Sequence, residues 1–175
     1  MTDQRLIIIR GYPGSGKTTV GQTLAAHGLG TFIDHNAILT FLANIVGNDE
    51  GMYDEIHTLE RAMARKLLAD GKSAIVARGF SRQSSIDPYL EITKEVGIEA
   101  YIFKLNADEV TLKSRVVAEG RKKDFNPTTS EEALSAWMAE NLLEAVEDEY
   151  DINANESIEH VVNQIVSLLG SRSTS

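Results

Sequence analysis

The fold of this chain is decided by one stretch, Gly11-Tyr12-Pro13-Gly14-Ser15-Gly16-Lys17-Thr18, which is followed by Thr19. Its spacing is that of a phosphate-binding loop, in which a glycine is followed by four residues and then by Gly-Lys-Ser/Thr. The apolar residues 6–9 before it predict a buried strand, and residues 18–26 after it predict a helix. Glycines allow a tight turn in which backbone N–H groups and the helix N-terminus point toward one anion. The stretch therefore predicts a site for the phosphate groups of a nucleotide.

Two side chains of this stretch have distinct expected roles. Lys17 is predicted to reach the β- and γ-phosphates of a bound nucleotide, and the Thr18 hydroxyl is predicted to bind Mg²⁺. We therefore expect ATP and Mg²⁺ to be the cofactors, with the whole loop from Gly11 to Thr19 in contact with them. The competing interpretation is a glycine-rich turn that holds a lysine by chance, but eight positions and both flanking elements would then have to coincide.

Length and composition are those of an ordinary soluble globular chain. The 175 residues are 42% hydrophobic and 25% charged, and they include no cysteine. No apolar run approaches the length of a membrane-spanning helix, and the N-terminus lacks the apolar segment of a signal peptide. We therefore expect a cytoplasmic protein with no membrane partner, built as a single domain over residues 1–170 with a disordered tail over residues 171–175. The oligomeric state does not follow from the sequence.

The negative charge is concentrated in the C-terminal third. The net charge is −9, and residues 124–175 contain 11 acidic residues but only one basic residue, Arg172. A protein that binds long stretches of nucleic acid normally carries a basic surface, so an extended nucleic-acid partner is not expected. Binding of a single nucleotide remains compatible with this charge. The acidic residues Glu144, Glu147, Asp148 and Glu149 are predicted to form a solvated face.

Predicted strands and helices alternate along the chain. This alternation is typical of a parallel sheet with helices on both faces, in which ligands bind beyond the carboxyl ends of the strands. Pro88 is expected within the first helical turn, so the fourth helix should begin near Asp87. The predicted strands cover residues 6–10, 31–33, 73–77, 99–105 and 150–154, and the predicted helices cover 18–26, 37–46, 53–69, 87–96, 109–119, 130–146 and 157–169.

Two of these helices carry specific predictions about burial. Helix 53–69 is expected to bury one stripe of apolar side chains and to expose Glu60 on the opposite face. The helix after residue 130 is expected to turn its apolar side chains inward, with Trp137 packed inside a helix pair. The two inward sets are Ile56, Leu59, Met63 and Leu67, and Leu134, Trp137, Met138, Leu142 and Val146.

Four loops are expected to meet in a single cleft at the carboxyl edge of the sheet. They are the phosphate loop, the segment Asp34-His35-Asn36, the loop from Arg78 to Arg82, and the region of Asn153 to Asn155, in which Asn155 is a candidate nucleotide contact.

These features together resemble the small P-loop kinases. That group includes the nucleoside-monophosphate, shikimate, gluconate and polynucleotide kinases, with AAA_33-like, zeta-toxin and antibiotic phosphotransferase relatives. The resemblance implies a three-layer αβα P-loop NTPase fold with a five-stranded parallel sheet in the order 2-3-1-4-5 and a short lid at about residues 120–129. It implies transfer of the γ-phosphoryl group of ATP to a hydroxyl of a small-molecule acceptor. The alternatives are a polynucleotide, nucleoside or nucleotide-sugar kinase and, in another class, an NTP-binding regulatory switch.

By this resemblance, Asp34 matches the carboxylate that orients or deprotonates the acceptor. An attacking hydroxyl needs a hydrogen-bond acceptor in line with the γ-phosphate, and a carboxylate at a strand end beside the phosphate loop provides one. Two other interpretations stay open, in which Asp34 holds Mg²⁺ through water or caps the following helix. His35 and Asn36 are expected either to bind polar groups of the acceptor or to cap that helix.

The resemblance also assigns roles to arginines. Arg115 is expected to contact the nucleotide, and Arg121 on the lid, or its neighbours Lys122 and Lys123, is expected to stabilise the charge of the transferred group. The alternative is that these residues form only a solvated basic loop. Several relatives place an aspartate at the end of the third strand, whereas this chain has Ala77-Arg78-Gly79 there. Arg78 and Arg82 are therefore expected to bind an acceptor that carries a carboxylate or phosphate. The alternative is that one of these arginines pairs with an acidic neighbour.

Overall fold

The fold is built on a parallel sheet of five strands. The computed structural model describes residues 4–47, 52–118 and 128–171. The strand bounds are β1 Arg5–Gly11, β2 Thr31–Ile33, β3 Ala74–Arg78, β4 Glu99–Asn106 and β5 Glu149–Asn153. The strand order is β2-β3-β1-β4-β5, as the resemblance implies, and every pairing is parallel.

Helices cover both faces of this sheet. Successive β1 residues point to opposite faces, so that Leu6 and Ile8 join one apolar cluster whereas Ile7 and Ile9 join the other. Helices α2, α3 and α4 contribute to the first cluster, and α1 and α7 contribute to the second. The helix bounds are α1 Lys17–Ala26, α2 His35–Val46, α3 Met52–Ala69, α4 Gln83–Val96, α5 Glu109–Ala118, α6 Glu131–Glu140 and α7 Ile158–Ser171.

The buried stripe of α3 differs from the predicted one. The buried residues recur at every fourth position, and they include Glu60, which is 2% exposed, whereas Leu59 and Met63 are exposed by 38% and 39%. The prediction that Glu60 faces solvent is therefore wrong. Helix α3 is rotated about its axis relative to the prediction, because Glu60 finds two polar partners inside the protein, His35 and Arg78. The buried set is Met52, Ile56, Glu60, Ala64 and Leu68.

The predicted start of α4 and end of α6 are also wrong. Helix α4 begins at Gln83 and contains Pro88, because the completely buried Ile86 anchors its first turn against the core. Helix α6 ends at Glu140, where the side chain of Asn141 donates to the Trp137 carbonyl at 2.9 Å. Leu142 beyond this cap is 68% exposed, and Val146 reaches the core from a non-helical segment.

A buried ion pair connects β1 with the first residue of β5, and a further hydrogen bond connects β1 with the segment after α6. Arg10 is completely buried, and its Nη1 donates to Glu149 Oε2 at 2.8 Å while its Nη2 donates to the Glu144 carbonyl at 2.7 Å. The prediction that Glu149 belongs to a solvated face is wrong, because Arg10 needs a buried counter-charge. Glu147 and Asp148 are exposed, as is Glu144 apart from its carbonyl contact. At the C-terminus, Ser171 is part of α7, and residues 172–175 lie outside the described residues.

Candidate active site

The backbone of the phosphate loop has a conformation that requires glycine at three positions. Gly11, Gly14 and Gly16 have φ angles of +152°, +83° and +90°, which side chains strongly disfavour. A Cβ atom at Gly11 would lie 2.8 Å from the Leu105 carbonyl oxygen, and one at Gly14 would lie 2.7 Å from the Leu112 carbonyl oxygen. The loop therefore lies directly against β4 and α5, and no larger residue fits its turns.

The start of α1 presents backbone donors to the loop. Gly16 is the N-cap of α1, and within the described residues no side chain caps this end of the helix. The first N–H groups of a helix have no intrahelical acceptor, and the helix dipole gives this end a partial positive charge. The Lys17 ammonium lies over the loop, where it donates to the Tyr12 carbonyl at 2.7 Å and to Ser15 Oγ at 3.4 Å. This arrangement fits the phosphate groups of a nucleotide.

Three of the four predicted loops meet around one cavity of about 340 Å³. Lys17 and Thr18 line it from the phosphate loop, and Arg78 lines it from the end of β3. A volume of this size accommodates a small molecule. The remaining lining residues are Gly11, Pro13, His35, Asn36, Leu39, Tyr53, Ala77, Gly79, Thr128 and Trp137.

The fourth loop lies apart from this cavity. Asn153 and Asn155 line a second cavity, together with Asn106 and Asp108, so the prediction of one cleft shared by all four loops is wrong. The reason is topological, because β4 and β5 lie on the opposite side of β1 from β2 and β3. The Asn155 side chain accepts a hydrogen bond from the Asp108 backbone N–H at 3.0 Å.

Asp34 is the N-cap of α2. Its Oδ1 accepts hydrogen bonds from the backbone N–H groups of Asn36 at 2.9 Å and Ala37 at 3.3 Å. Its Oδ2 lies 3.5 Å from the side-chain nitrogen of Gln22. One carboxylate oxygen therefore stabilises the helix start, as one of the open interpretations expected, and the other oxygen has only a weak contact.

Arg78 forms an ion pair that one of the open interpretations anticipated. Its Nη1 donates to Glu60 Oε2 at 3.0 Å, and the other oxygen of Glu60 lies 3.0 Å from His35 Nδ1. The Glu60 side chain is 3% exposed, whereas those of Arg78 and His35 are each 16% exposed and line the cavity. Glu60 thus fixes two side chains of the cavity wall from behind. Sequence reasoning missed it, and the only signal was an acidic residue at the i+4 position from the buried Ile56.

His57 lies beside this group, with its ring centroid 5.9 Å from that of His35. Burial and, to a smaller extent, the nearby charge of Arg78 lower the pKa of His57 from 6.5 to about 4, although Glu60 opposes this effect. The imidazole of His57 is therefore neutral at pH 7.

Trp137 contributes to the cavity wall rather than packing wholly inside a helix pair. It is half-buried and lines the cavity, with its ring 6.3 Å from that of Tyr12 in an edge-to-face arrangement. The Tyr12 hydroxyl accepts a hydrogen bond from the Leu143 N–H at 3.2 Å. Helix α6 and the segment after it therefore contact the phosphate loop directly.

Of the three other predicted arginines, Arg82 and Arg115 lie within the described residues and have different surroundings. Arg82 is exposed at the N-cap of α4 and lies outside the lining of the cavity. Arg115 donates to the Ala154 carbonyl at 2.8 Å, which places it beside Asn155 and the second cavity. Arg121 lies outside the described residues, as does most of the predicted lid, from residue 120 to 127.

Residues 6–142 match the model of a family of AAA domains, AAA_33. The chain belongs to this family. Three solved structures have a similar fold. A putative kinase from Chloroflexus aurantiacus J-10-fl has a TM-score of 0.73 and 15% identity, and the match covers 95% of this chain and 98% of that one. A gluconokinase from Sinorhizobium meliloti 1021 has a TM-score of 0.63 and 19% identity, with 97% and 93% covered.

A sugar kinase from a Janibacter species, HTCC2649, gives a TM-score of 0.63 at 16% identity, with 96% of this chain and 95% of that chain covered. At these identities the similarity establishes the fold alone. No curated protein sequence matches the chain. Within the described residues, none of the helices combines the length and the apolar character that crossing a membrane requires.

Proposed function

We propose that this protein transfers the γ-phosphoryl group of ATP to a hydroxyl group of a small-molecule acceptor. The observation that carries the proposal is the shared cavity, in which Lys17 and Thr18 face the same space as His35, Asn36 and Arg78. A phosphate-binding loop and a polar wall on one small cavity are the arrangement that transfer between two bound molecules needs. The kinase-like fold supports the same reaction class.

The loop fits ATP and Mg²⁺ as cofactors. Its glycines adopt the positive φ angles that such a turn needs, and the uncapped start of α1 offers backbone donors to phosphate oxygens. Lys17 would hold the β- and γ-phosphates, and the Thr18 hydroxyl would take a place in the Mg²⁺ coordination. When bound, ATP supplies the phosphoryl group and Mg²⁺ neutralises charge on its oxygens.

Asp34 is the proposed proton acceptor. The acceptor hydroxyl forms a bond to the γ-phosphorus while the bond from that phosphorus to the bridging oxygen breaks, and ADP leaves with the electron pair. The hydroxyl proton passes to Asp34 Oδ2, since Oδ1 is engaged by two backbone N–H groups. The cap holds the carboxylate in one orientation. Asp34 itself is not among the residues that line the cavity, but it directly precedes His35 and Asn36, which are.

His35, Asn36 and Arg78 are the proposed acceptor contacts. Arg78 already neutralises Glu60, so the donors on its guanidinium other than the one facing Glu60 would orient polar groups of the acceptor. Arg82 is not included, because it lies outside the lining of the cavity. Arg121 remains the proposed lid charge from the sequence, and Arg115 and Asn155 remain proposed nucleotide contacts on the side of the second cavity.

A panel of hydroxyl-bearing acceptors tests the proposal. ADP release is measured above the rate without acceptor for the wild type, Lys17→Ala and Asp34→Asn. The asparagine keeps a side-chain oxygen for the cap and removes only the charge, so the fold of α2 is preserved. We expect Lys17→Ala to abolish turnover and Asp34→Asn to lower it by about 10²- to 10⁴-fold.

Two outcomes would contradict parts of the proposal. Full activity of Asp34→Asn beside an inactive Lys17→Ala would leave Asp34 as a cap only. If no acceptor stimulates ADP release, while binding to a partner protein differs between the ATP and ADP states, the regulatory-switch interpretation replaces the kinase. Stimulation by polynucleotide 5′-ends, nucleosides or nucleotide sugars alone would identify the second class of kinase.

A further inference from the structure

Two histidines and a glutamate converge behind the wall of the cavity. His35 is the first residue of α2, whereas His57 and Glu60 lie three positions apart on α3 and therefore on one face of that helix. One nitrogen of each histidine and one oxygen of Glu60 all lie within 4.8 Å of one another. Glu60 is buried, and both histidines are partly buried.

The Glu60 carboxylate divides its two oxygens between different partners. Arg78 Nη1 donates to Oε2 at 3.0 Å, and this bond fixes the orientation of the carboxylate. The other oxygen, Oε1, lies 3.0 Å from His35 Nδ1. A cation bound by Oε1 would therefore leave the pair with Arg78 intact, and this pair would act as the supporting hydrogen bond that metal-binding carboxylates commonly have.

We propose that His35, His57 and Glu60 bind a divalent transition-metal ion of the Zn²⁺ class. Two imidazoles and one carboxylate are ligands that Zn²⁺ and its neighbours accept, whereas Mg²⁺ strongly prefers oxygen. On binding, the proton between His35 Nδ1 and Glu60 Oε1 leaves for the solvent or moves to Nε2 of the same ring. A fourth ligand such as a water molecule would complete the coordination of such an ion. The site shares His35 with the proposed acceptor contacts, but metal binding itself does not require the phosphoryl transfer and is measured without nucleotide or acceptor.

A zinc titration tests the site. The chain, free of any histidine tag, is treated with a chelator and dialysed, and Zn²⁺ is then titrated without nucleotide in excess Mg²⁺, which occupies oxygen-only sites. Bound zinc is measured by calorimetry and by elemental analysis. We expect one Zn²⁺ per chain and affinity more than about tenfold weaker in His57→Ala. His160→Ala is the matched control, since His160 is exposed on α7, and its affinity should equal that of the wild type.

Equal zinc affinity in the wild type and His57→Ala would overturn the proposal. A loss of zinc affinity in His160→Ala as large as that in His57→Ala would also overturn it. Thermal unfolding of each variant shows whether it folds. If His57→Ala does not fold, the wild type loaded with Co²⁺ gives the answer by its visible absorption. The intense bands of four-coordinate cobalt support the site, and the weak spectrum of a six-coordinate ion contradicts it.

Discussion

The guanidinium of Arg78 lies 3.0 Å from the carboxylate of Glu60, and neither side chain is more than 16% exposed. This pair connects α3 to the end of β3 and orients a residue of the cavity wall. A buried pair that loses one partner leaves the other charge desolvated and uncompensated. The stability of the site should therefore depend on the pair rather than on either charge alone.

Glu60→Gln is expected to destabilise the protein by about 3 kcal/mol, because it leaves Arg78 without its counter-charge. Urea unfolding measures the change in the free energy of unfolding. The double variant Glu60→Gln/Arg78→Met should recover part of the loss, since the desolvated charge is then absent. A double variant no more stable than Glu60→Gln would show that the charge of Arg78 is not the source of the cost.

Gly14→Ala and Gly28→Ala form a matched pair. Both positions have positive φ, at +83° and +76°, but a Cβ at Gly14 would lie 2.7 Å from a carbonyl oxygen whereas one at Gly28 meets nothing within 4 Å. Gly28→Ala should cost about 1 kcal/mol of stability, which is the cost of the left-handed conformation alone. Gly14→Ala should lower the free energy of unfolding by more than this, as measured by urea unfolding. It should also weaken ATP binding, as measured by calorimetry. Equal costs would contradict the close approach of α5 to the loop.

Stability should fall in mild acid because of His57. The pKa of His57 is about 4 in the folded protein and 6.5 as a model value, so the unfolded chain binds its proton first as the pH decreases. The contribution of neutral His57 is complete above about pH 6.5 and is lost progressively toward pH 4. His57→Gln should reduce this part of the pH dependence. Urea midpoints across this range, with a chelator present, measure it.

The charges that face His57 belong to Arg78, Glu60, His35 and Arg61, and the variant leaves all four in place. Identical pH profiles of the wild type and His57→Gln would mean that burial does not hold this imidazole neutral.

Trp137 should report nucleotide binding. It is the only tryptophan in the sequence, it lines the cavity, and its ring lies 6.3 Å from that of Tyr12 in the phosphate loop. Addition of Mg²⁺ and ATP is expected to change its fluorescence in the wild type. Lys17→Ala should not show this change at the same concentration, whereas His27→Ala, which alters an exposed residue at the end of α1, should respond as the wild type does.

The strands could be predicted because each contains a short run of largely apolar residues, and no strand bound differs from the prediction by more than one residue. The phosphate loop could be predicted because all its parts are adjacent in sequence. The burial of Glu60 could not be predicted, since its partners His35 and Arg78 are 25 and 18 positions away in sequence, and a charged residue on an amphipathic helix normally faces solvent. The early start of α4 was missed because burial of Ile86 outweighs the local effect of Pro88. Local patterns therefore predict the nucleotide side of the site better than its acceptor side.

The burial of Arg10 sets a lower limit on the length of chain that can fold. The region matched by the family stops at residue 142, but both acceptors for this guanidinium, on Glu144 and Glu149, come afterwards. Truncation after residue 142 would also remove the edge strand β5 and the helix α7, which packs on one face of the sheet. Arg10 immediately precedes the first glycine of the nucleotide-binding turn. A protein truncated after residue 142 should therefore lose both solubility and affinity for ATP.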